Sequence, residues 1–322
     1  MAAAGGPAQL VLTAAVARRY YVEDASKVDI AEEYGLSRFQ VARLLDRARA
    51  SGLVKITISA PEALDVDLSS RLQRAYGLQH AVVVDTPEND ATALQRDLGK
   101  AAAALLTEIV TANDVLGLAW SRSVSAMTNV LTHLLPIPVV QLTGALARPD
   151  VEDSSVDLVR RVGRTFGGPT YFFYAPTIVP DAATASALRQ IPEVARTLRQ
   201  FGSVTKAVVG IGLWAPTEST VYDATEEDVR DALHHRGVRG EIAGAIVDSA
   251  GRSVETDLPG RMICPSADQL RAIPEVLAIA YNRVRSPAVK AAVRGGLVDS
   301  LVTHASLART LLEEAGDAHE IA

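Results

Sequence analysis

Residues 27–58 read KVDIAEEYGLSRFQVARLLDRARASGLVKITI, and this stretch decides the fold of the N-terminal part of the chain. Counted from Lys27, the small residue Ala31 is fifth, Gly35 is ninth and the apolar Val41 is fifteenth. Where two short helices cross, the fifth position must be small, and a glycine at the ninth position closes the first helix at a positive φ. The spacing therefore predicts a helix-turn-helix.

The second helix has its own start signal. Ser37 is an N-cap residue, and Gln40 three positions later completes a capping-box pattern. Apolar residues then recur at helical spacing, at Val41, Leu44, Leu45 and Ala48. A Gly turn and an alternating run (Val54, Ile56, Ile58) predict a wing strand, and an earlier helix over about residues 8–23 supplies the third side of a small core.

The polar face of the second helix has the side chains that read DNA in such motifs. In helix-turn-helix motifs the N-terminal end of the second helix enters a major groove, where Arg can pair with guanine and Gln with adenine. Ser37 and Lys27 are placed to meet phosphates. The predicted DNA-binding residues are Lys27, Ser37, Arg38, Phe39, Gln40, Arg43 and Arg47. A hairpin that docks on protein, with Gln40 acting only as a cap, is the alternative interpretation.

Charge is divided unevenly along the 322 residues. The chain has a net charge of −6, whereas residues 1–58 contain eight Lys or Arg against six Asp or Glu. A slightly basic head on an acidic body favours a protein that touches DNA with one face only. With one cysteine, no signal-like N-terminus and no apolar run long enough to span a bilayer, we expect a cytoplasmic protein. No Cys/His cluster has metal-ligand spacing, so no metal or other cofactor is expected.

From His80 onward, apolar runs alternate with helical segments, which is typical of a parallel sheet covered on both faces. This pattern predicts an α/β chain with a winged helix-turn-helix over residues 1–60 and a Rossmann-like domain over 61–322. The predicted strands are 81–85, 114–120, 138–144, 169–176, 204–214, 241–248, 261–265, 276–281 and 297–303.

Ligands of such sheets bind at the carboxyl ends of the strands. Those ends are followed here by Trp120 to Ser123, Gln141 to Gly144, Gly210 to Gly212 and Tyr281 to Arg285. Ser121 and Ser123 flank Arg122 at a helix N-terminus, where hydroxyls and backbone N–H groups suit an anion or a polyol. Ordinary N-capping by serine explains the same residues equally well.

Several phrases in order resemble the SorC-type (sorbitol operon regulator) family of bacterial transcription regulators. They include LGLAWSRSV at 116–124, VVQLTGAL at 139–146, VVGIGLW at 208–214 and RGEIAGAIVDSAG at 239–251. The resemblance covers nearly the whole chain. It implies a body related to sugar-phosphate deaminases and isomerases and to CoA-transferases, which serves as a sensor of a sugar or sugar phosphate. It also implies dimers or tetramers on operator DNA.

The same resemblance assigns the effector site. It makes Glu241 an acceptor for effector hydroxyls, and it aligns a Gly-Gly-x-x-Lys segment with Tyr281 to Arg285. The departures at Tyr281, Asn282 and Arg285 favour a sugar-like effector over the usual phosphosugar, although Arg285 retains a positive charge for phosphate. The predicted effector-binding residues are Trp120, Ser121, Arg122, Ser123, Gln141, Thr143, Gly144, Gly212, Glu241, Asn282 and Arg285.

Two other functions are compatible with this sequence. A sugar-phosphate isomerase or deaminase needs a carboxylate base, for which Glu241 or Asp223 is available. No compact acid–base pair with a nucleophile beside it is present in the sequence, so we expect a regulator and not an enzyme. A scaffold with a vestigial pocket is the third possibility. The expected partners of the regulator are double-stranded operator DNA, a carbohydrate-type effector and a second copy of the chain, with no membrane.

Overall fold

The computed structural model describes residues 6–55, 64–87, 90–146 and 153–320, with side chains described through residue 316. The chain divides into two compact units, Met1–Ser59 and Ala60–Ala322. Within the described ranges no helix is long and apolar enough to cross a membrane. No three His, Cys, Asp or Glu side chains there are grouped to hold a metal ion.

The first unit is built from three helices, α1 (Pro7–Tyr21), α2 (Lys27–Tyr34) and α3 (Arg38–Ala50). Ser26 and Ser37 cap α2 and α3 through complete capping boxes, and Gly35 ends α2 with φ +63°. The buried core contains Val16, Ala17, Ile30, Ala31, Val41, Leu44, Leu45 and Ala48. The predicted helix-turn-helix is therefore present. Most of the predicted wing strand lies outside the described residues.

The second unit is organised around a sheet of parallel strands in the order β1-β9-β8-β5-β2-β3-β4. Their bounds are β1 His80–Val84, β2 Leu116–Leu118, β3 Val139–Gln141, β4 Thr170–Tyr171, β5 Lys206–Leu213, β8 Glu275–Ala280 and β9 Ser300–His304. The central strands β2, β3, β8 and β9 are buried along their whole length, because helices cover both faces.

An antiparallel hairpin extends the far end of β5. It consists of β6 (Val238–Ile242) and β7 (Ala245–Asp248), and Gly212 of β5 pairs with Glu241 of β6. The two loop residues, Ala243 and Gly244, both have positive φ (48° and 93°), as a tight hairpin turn requires. The hairpin places Glu241 beside the carboxyl end of β5.

The helices of the second unit connect and cover these strands. Their bounds are α4 Val66–Tyr76, α5 Ala91–Ile109, α6 Arg122–Val130, α7 Ser155–Phe166, α8 Ala182–Gln190, α9 Pro192–Arg199, α10 Thr220–Asp223, α11 Glu227–His235, α12 Ala267–Arg271, α13 Ser286–Arg294 and α14 Ala305–Glu320. Short 3₁₀ turns occupy Gln200–Ser203, Pro259–Arg261 and Arg283–Arg285.

The sequence prediction for residues 169–176 differs from the structure. This β-rich segment pairs as a strand only at Thr170 and Tyr171, although an isolated bridge joins Pro176 to Ala145. Phe173 instead donates its backbone N–H to the Gln141 side chain, which ends the regular ladder. The short helices α8 to α12 were not predicted, because their apolar pattern is too brief to show a period.

Candidate effector crevice and DNA-facing helix

The carboxyl ends of β2 and β5 meet at the point where the strand order reverses direction. Strands β3 and β4 lie on one side of β2, whereas β5, β8 and β9 lie on its other side. Ser121, which follows β2, lies so close to Gly210 of β5 that a Cβ at Gly210 would lie 2.7 Å from its Cβ. This is the topological switch point, where ligands of open parallel sheets bind.

Glu241 is the buried acid of this region, with 8% of its surface exposed. Its Oε1 accepts a 2.5 Å hydrogen bond from the Gly244 backbone N–H, and its Oε2 lies 3.5 Å from Ser219 Oγ. Burial raises the pKa of Glu241 to about 7, while these hydrogen bonds and the Arg285 charge oppose the shift. A hydrogen-bonded carboxyl group at a strand tip is suited to accept from ligand hydroxyls.

Trp120 brings an unused donor to the same region. Its backbone N–H donates to Thr143 Oγ1 at 3.3 Å. Its indole Nε1 is buried and has no hydrogen-bond partner among the described residues. Because a buried polar group without a partner costs about 1–3 kcal/mol, such a donor marks a place that a ligand or a water fills.

The three residues Ser121 to Ser123 begin α6. Ser121 is its N-cap, and Ser121 Oγ accepts from the Val124 N–H at 3.1 Å. Ser123 is buried, whereas Arg122 is exposed at the rim. The capping interpretation of Ser121 thus describes its contacts, and Arg122 and Ser123 line the crevice next to it.

Arg285 forms an ion pair with Glu218, an acidic residue that was not predicted from the sequence to belong to the site. Its Nε donates to Glu218 Oε2 at 2.8 Å, and its Nη1 donates to the Ile211 carbonyl at 3.4 Å. Asn282 also donates to Glu218, through Nδ2 at 3.3 Å. Asn282 has φ +77°, a value that favours glycine and that Asn tolerates better than most residues.

Gln141 and Gly144 form hydrogen bonds that hold neighbouring parts of the fold together. The fully buried Gln141 amide donates to Thr143 O and Ser155 Oγ and accepts from the Phe173 N–H. The Gly144 carbonyl accepts from the hydroxyls of Ser155 and Thr177. A Cβ at Gly144 would lie 2.6 Å from the Pro176 backbone, so the loop needs glycine there for packing.

Together these residues form a crevice with two sides. One side is lined by Trp120, Thr143, Gly144 and Gly210, the other by Arg122, Ser123, Gly212, Glu218, Ser219, Tyr281 and Arg285, and both by Thr220 and Glu241. The cavities are about 30 Å³ and 60 Å³, which is room for a few waters. Asn282 lines neither side of the crevice, but its side chain donates a hydrogen bond to Glu218, which does.

A larger cavity of about 490 Å³ lies on the other side of Gly244 and is lined by Arg189, Ile246, Thr256 and Cys264 among others. It is not at the strand tips. Burial raises the pKa of the Cys264 thiol to about 12, so this sulfur is an unreactive neutral group. The crevice, with its carboxyl group, hydroxyls and unused indole N–H, has the chemistry of a ligand site.

The loop from Thr217 to Thr220 was missed by sequence reasoning, although it supplies much of one wall. Ser219 caps the short helix α10 by accepting from the Tyr222 N–H. A Cβ on Gly212 would lie 2.8 Å from the Ser219 Cβ. Glycine in a strand is itself a signal of a close approach, so Gly212 was the sequence signal for a neighbour at this position.

In the first unit, α3 turns its charged side to solvent. Arg38, Phe39, Gln40, Arg43 and Arg47 are all exposed, and Phe39 is 85% exposed at the N-terminal end of the helix. Within residues 6–55 the ion pairs join Arg18, Arg19 and Arg49 to acidic neighbours. Arg43 and Arg47 are in none of them. Lys27 is half-buried, with Nζ 5.5 Å from the centre of the Tyr20 ring.

Gln40 and Ser37 form hydrogen bonds with each other. Gln40 Oε1 accepts from the Ser37 N–H at 2.7 Å, and Ser37 Oγ accepts from the Gln40 N–H at 3.2 Å. Paired recognition of adenine uses both the oxygen and the nitrogen of the amide. Gln40 in this rotamer presents only its NH₂ group outward, so the paired contact requires the capping box to open.

The chain belongs to the family whose model, Sugar-bind, is described as "Putative sugar-binding domain"; the model matches residues 61–313. These residues include every strand of the sheet and the whole crevice. The parallel sheet and its covering helices make this a mixed α/β protein, and the family match identifies its larger unit as a sugar-binding domain.

Relatives match nearly the whole chain. An uncharacterized transcriptional regulator, YjhU of Escherichia coli, is 26% identical over 91% of this chain and 92% of its own length. The deoxyribonucleoside regulator of Bacillus subtilis is 24% identical over 94% and 97%. The crystal structure of the full-length sorbitol operon regulator SorC from Klebsiella pneumoniae superposes with a TM-score of 0.70 at 23% identity, covering 95% of this chain and 99% of that one. The resemblance to SorC-type regulators predicted from the sequence is confirmed.

Proposed function

We propose that this protein is a transcription regulator that binds operator DNA through α3 and is controlled by a carbohydrate-type effector in the crevice. The observation that carries the proposal is the exposed face of α3. Its Arg43 and Arg47 have no acidic partner within residues 6–55, in a chain whose net charge is −6. An unpaired basic helix face in an acidic protein fits a polyanion.

The effector half of the proposal rests on the sugar-binding family and on the crevice. The present cavities hold only a few waters, so a sugar-sized effector enters only when the walls move apart. An effector that binds only the opened crevice has different affinities for two states of the protein. That difference is the energy by which it shifts operator binding.

The finer features follow from the same proposal. One head presents a single recognition helix, so reading a two-fold operator takes a dimer or a larger assembly of the chain. The second unit would supply the self-association surface. A regulator of this kind acts where the DNA is, in the cytoplasm, and performs no catalysis.

A sugar-phosphate isomerase is the second candidate, and Glu241 is the observation that favours it. A carboxyl group with a pKa of about 7 is suited to general-base work near neutral pH. The named relatives are regulators, which supports the first candidate. Turnover of pentose or hexosamine phosphates that disappears in Glu241→Gln would establish the enzyme.

The direct test is a gel shift with the promoter region of the protein's own operon. Arg43→Ala removes an exposed cation from α3, and we expect it to weaken binding roughly tenfold, the cost of one lost DNA contact of about 1–3 kcal/mol. Effector binding, measured by thermal shift, should be unchanged, because Arg43 belongs to the first unit.

Arg18→Ala is the matched control, because it removes the same charge from the same unit but from α1, where Arg18 is paired with Glu23. Operator binding by this variant should stay within about twofold of the wild type. Equal losses in the two variants would show that binding depends on net charge and not on α3, and that result contradicts the proposal.

A further inference from the structure

We propose that the effector is an uncharged polyhydroxylated molecule, a polyol or an unphosphorylated sugar, and not a sugar phosphate. This inference rests on the proposed function, since it concerns the ligand of the same crevice. It is supported by the ion pair between Glu218 and Arg285. It is also supported by the loop after β8, whose backbone N–H groups donate to Asn282 within the same loop.

The cation in the wall of the crevice, Arg285, is already paired with an acid. The side chains of Glu218 and Arg285 are both mostly buried, with 21% and 17% of their surfaces exposed, and Arg285 Nε lies 2.8 Å from Glu218 Oε2. Their positions are fixed further, because Asn282 donates to Glu218 and Arg285 donates to the Ile211 carbonyl. Nε and one N–H of Nη1 of Arg285 are therefore occupied, and a phosphate bound by the remaining N–H groups would lie beside the Glu218 carboxylate.

Acidic side chains also line the crevice beside its arginines. The side of the crevice that contains Arg285 is lined by two arginines, Arg122 and Arg285, and by two acids, Glu218 and Glu241. A phosphate monoester adds up to two negative charges next to the Glu218 carboxylate, and it further opposes the ionisation of Glu241, which burial already disfavours. In a partly buried site such repulsion is screened far less than at the surface, so a neutral ligand is favoured.

The loop after β8 has backbone N–H groups of the kind that bind phosphate in other proteins, but here they have partners within the loop. The Val284 N–H donates to Asn282 Oδ1 at 3.3 Å, and the Arg285 N–H donates to the Asn282 carbonyl at 3.1 Å. Asn282 thus satisfies two donors of this turn itself. The turn does not offer them as an anion-binding nest.

The remaining groups match hydroxyls. The Glu241 carboxyl accepts, the hydroxyls of Ser123, Ser219 and Thr220 donate or accept, and the Trp120 indole N–H is an unused donor. A polyol has one donor and acceptor on each carbon and satisfies such a mixed set without bringing charge. The geometry of the crevice therefore selects on hydroxyl pattern.

The test compares matched probes, sorbitol with sorbitol 6-phosphate and erythritol with erythritol 4-phosphate, together with inorganic phosphate. Affinities are measured by thermal shift and calorimetry on the full chain. The wild type should bind the neutral member of a pair at least tenfold more tightly than the phosphorylated one. Glu218→Gln keeps an oxygen for Arg285 but removes the charge, and should shift this preference toward phosphate about tenfold.

Glu226→Gln is the matched control, because Glu226 forms a comparable 2.8 Å pair with Arg261 away from the crevice. It should keep the wild-type preference. A wild type that prefers the phosphorylated member, an identical preference in wild type and Glu218→Gln, or no binding of any probe to either protein overturns the inference. The operator gel shift on the same samples reports separately on the proposed function, which stands if only the preference fails.

Discussion

At the scale of single residues, Glu241 is a buried acid whose ionisation depends on the fold. Its pKa is raised from 4.5 to about 7, chiefly because burial penalises the charged form. Between these two pH values the folded protein holds a proton that the unfolded chain has lost. The free energy of unfolding therefore falls as the pH rises through this window.

Glu241→Gln removes that proton linkage and keeps an oxygen for the Gly244 N–H. We expect the variant to lose up to about 1.4 kcal/mol per pH unit of the pH dependence of unfolding between pH 5 and 7. Melting temperatures measured from pH 5 to 8 check this, with the exposed Glu193→Gln as control. Identical pH profiles in the wild type and Glu241→Gln would show that Glu241 is not a buried titrating acid.

Single residues also show how far the sequence predicted the site. Trp120, Thr143, Gly212 and Glu241 were predicted to lie together and do so in the structure. The partner of Arg285 was not predicted, because Glu218 is 67 residues away and nothing local in the sequence indicates that pairing. Gln141 follows a strand as a ligand residue would, but its amide is bonded to the scaffold.

At the scale of elements, the turn between α2 and α3 sets the orientation of α3, the helix that we propose binds DNA. Gly35 has φ +63°, and a Cβ there would meet nothing within 4 Å. The requirement for glycine is therefore one of backbone conformation alone. The same turn could be predicted from the sequence, because caps and left-handed glycines are determined by residues a few positions apart.

Gly35→Ala should cost about 1 kcal/mol of local stability, since an alanine at positive φ is strained by that amount. Hydrogen exchange followed by mass spectrometry should show the amides of α2 and α3 exchanging about fivefold faster, and operator binding should weaken. Gly35→Asn is the control, since Asn tolerates the left-handed conformation and should have the smaller effect. Equal exchange in the wild type and Gly35→Ala would show that the turn does not hold α3 in place.

The strands of the sheet could be predicted from the sequence, whereas their order could not. The parallel strands were predicted because buried strands between helices read as continuous apolar runs. The strand order and the β6–β7 hairpin that delivers Glu241 to β5 depend on pairings distant in sequence. Those pairings are formed by tertiary packing, so they could not be read from local pattern.

At the scale of the whole molecule, control of DNA binding by an effector requires a free-energy coupling between the two units of the chain. A coupling of 1–3 kcal/mol, typical of such systems, changes operator affinity by about 5–150-fold when the effector binds. Linkage makes the effect reciprocal, so operator DNA must change the effector's affinity by the same factor. The direction of the change decides whether the effector releases or recruits the protein.

The most direct test is the dissociation constant of the full chain for a fluorescently labelled operator, measured by anisotropy. It is measured without and with a saturating amount of the probe that gives the largest rise in melting temperature. The account predicts a change of at least about fivefold, absent in a Glu241→Ala variant that no longer binds the probe. An operator affinity that stays the same while the crevice is occupied would contradict it.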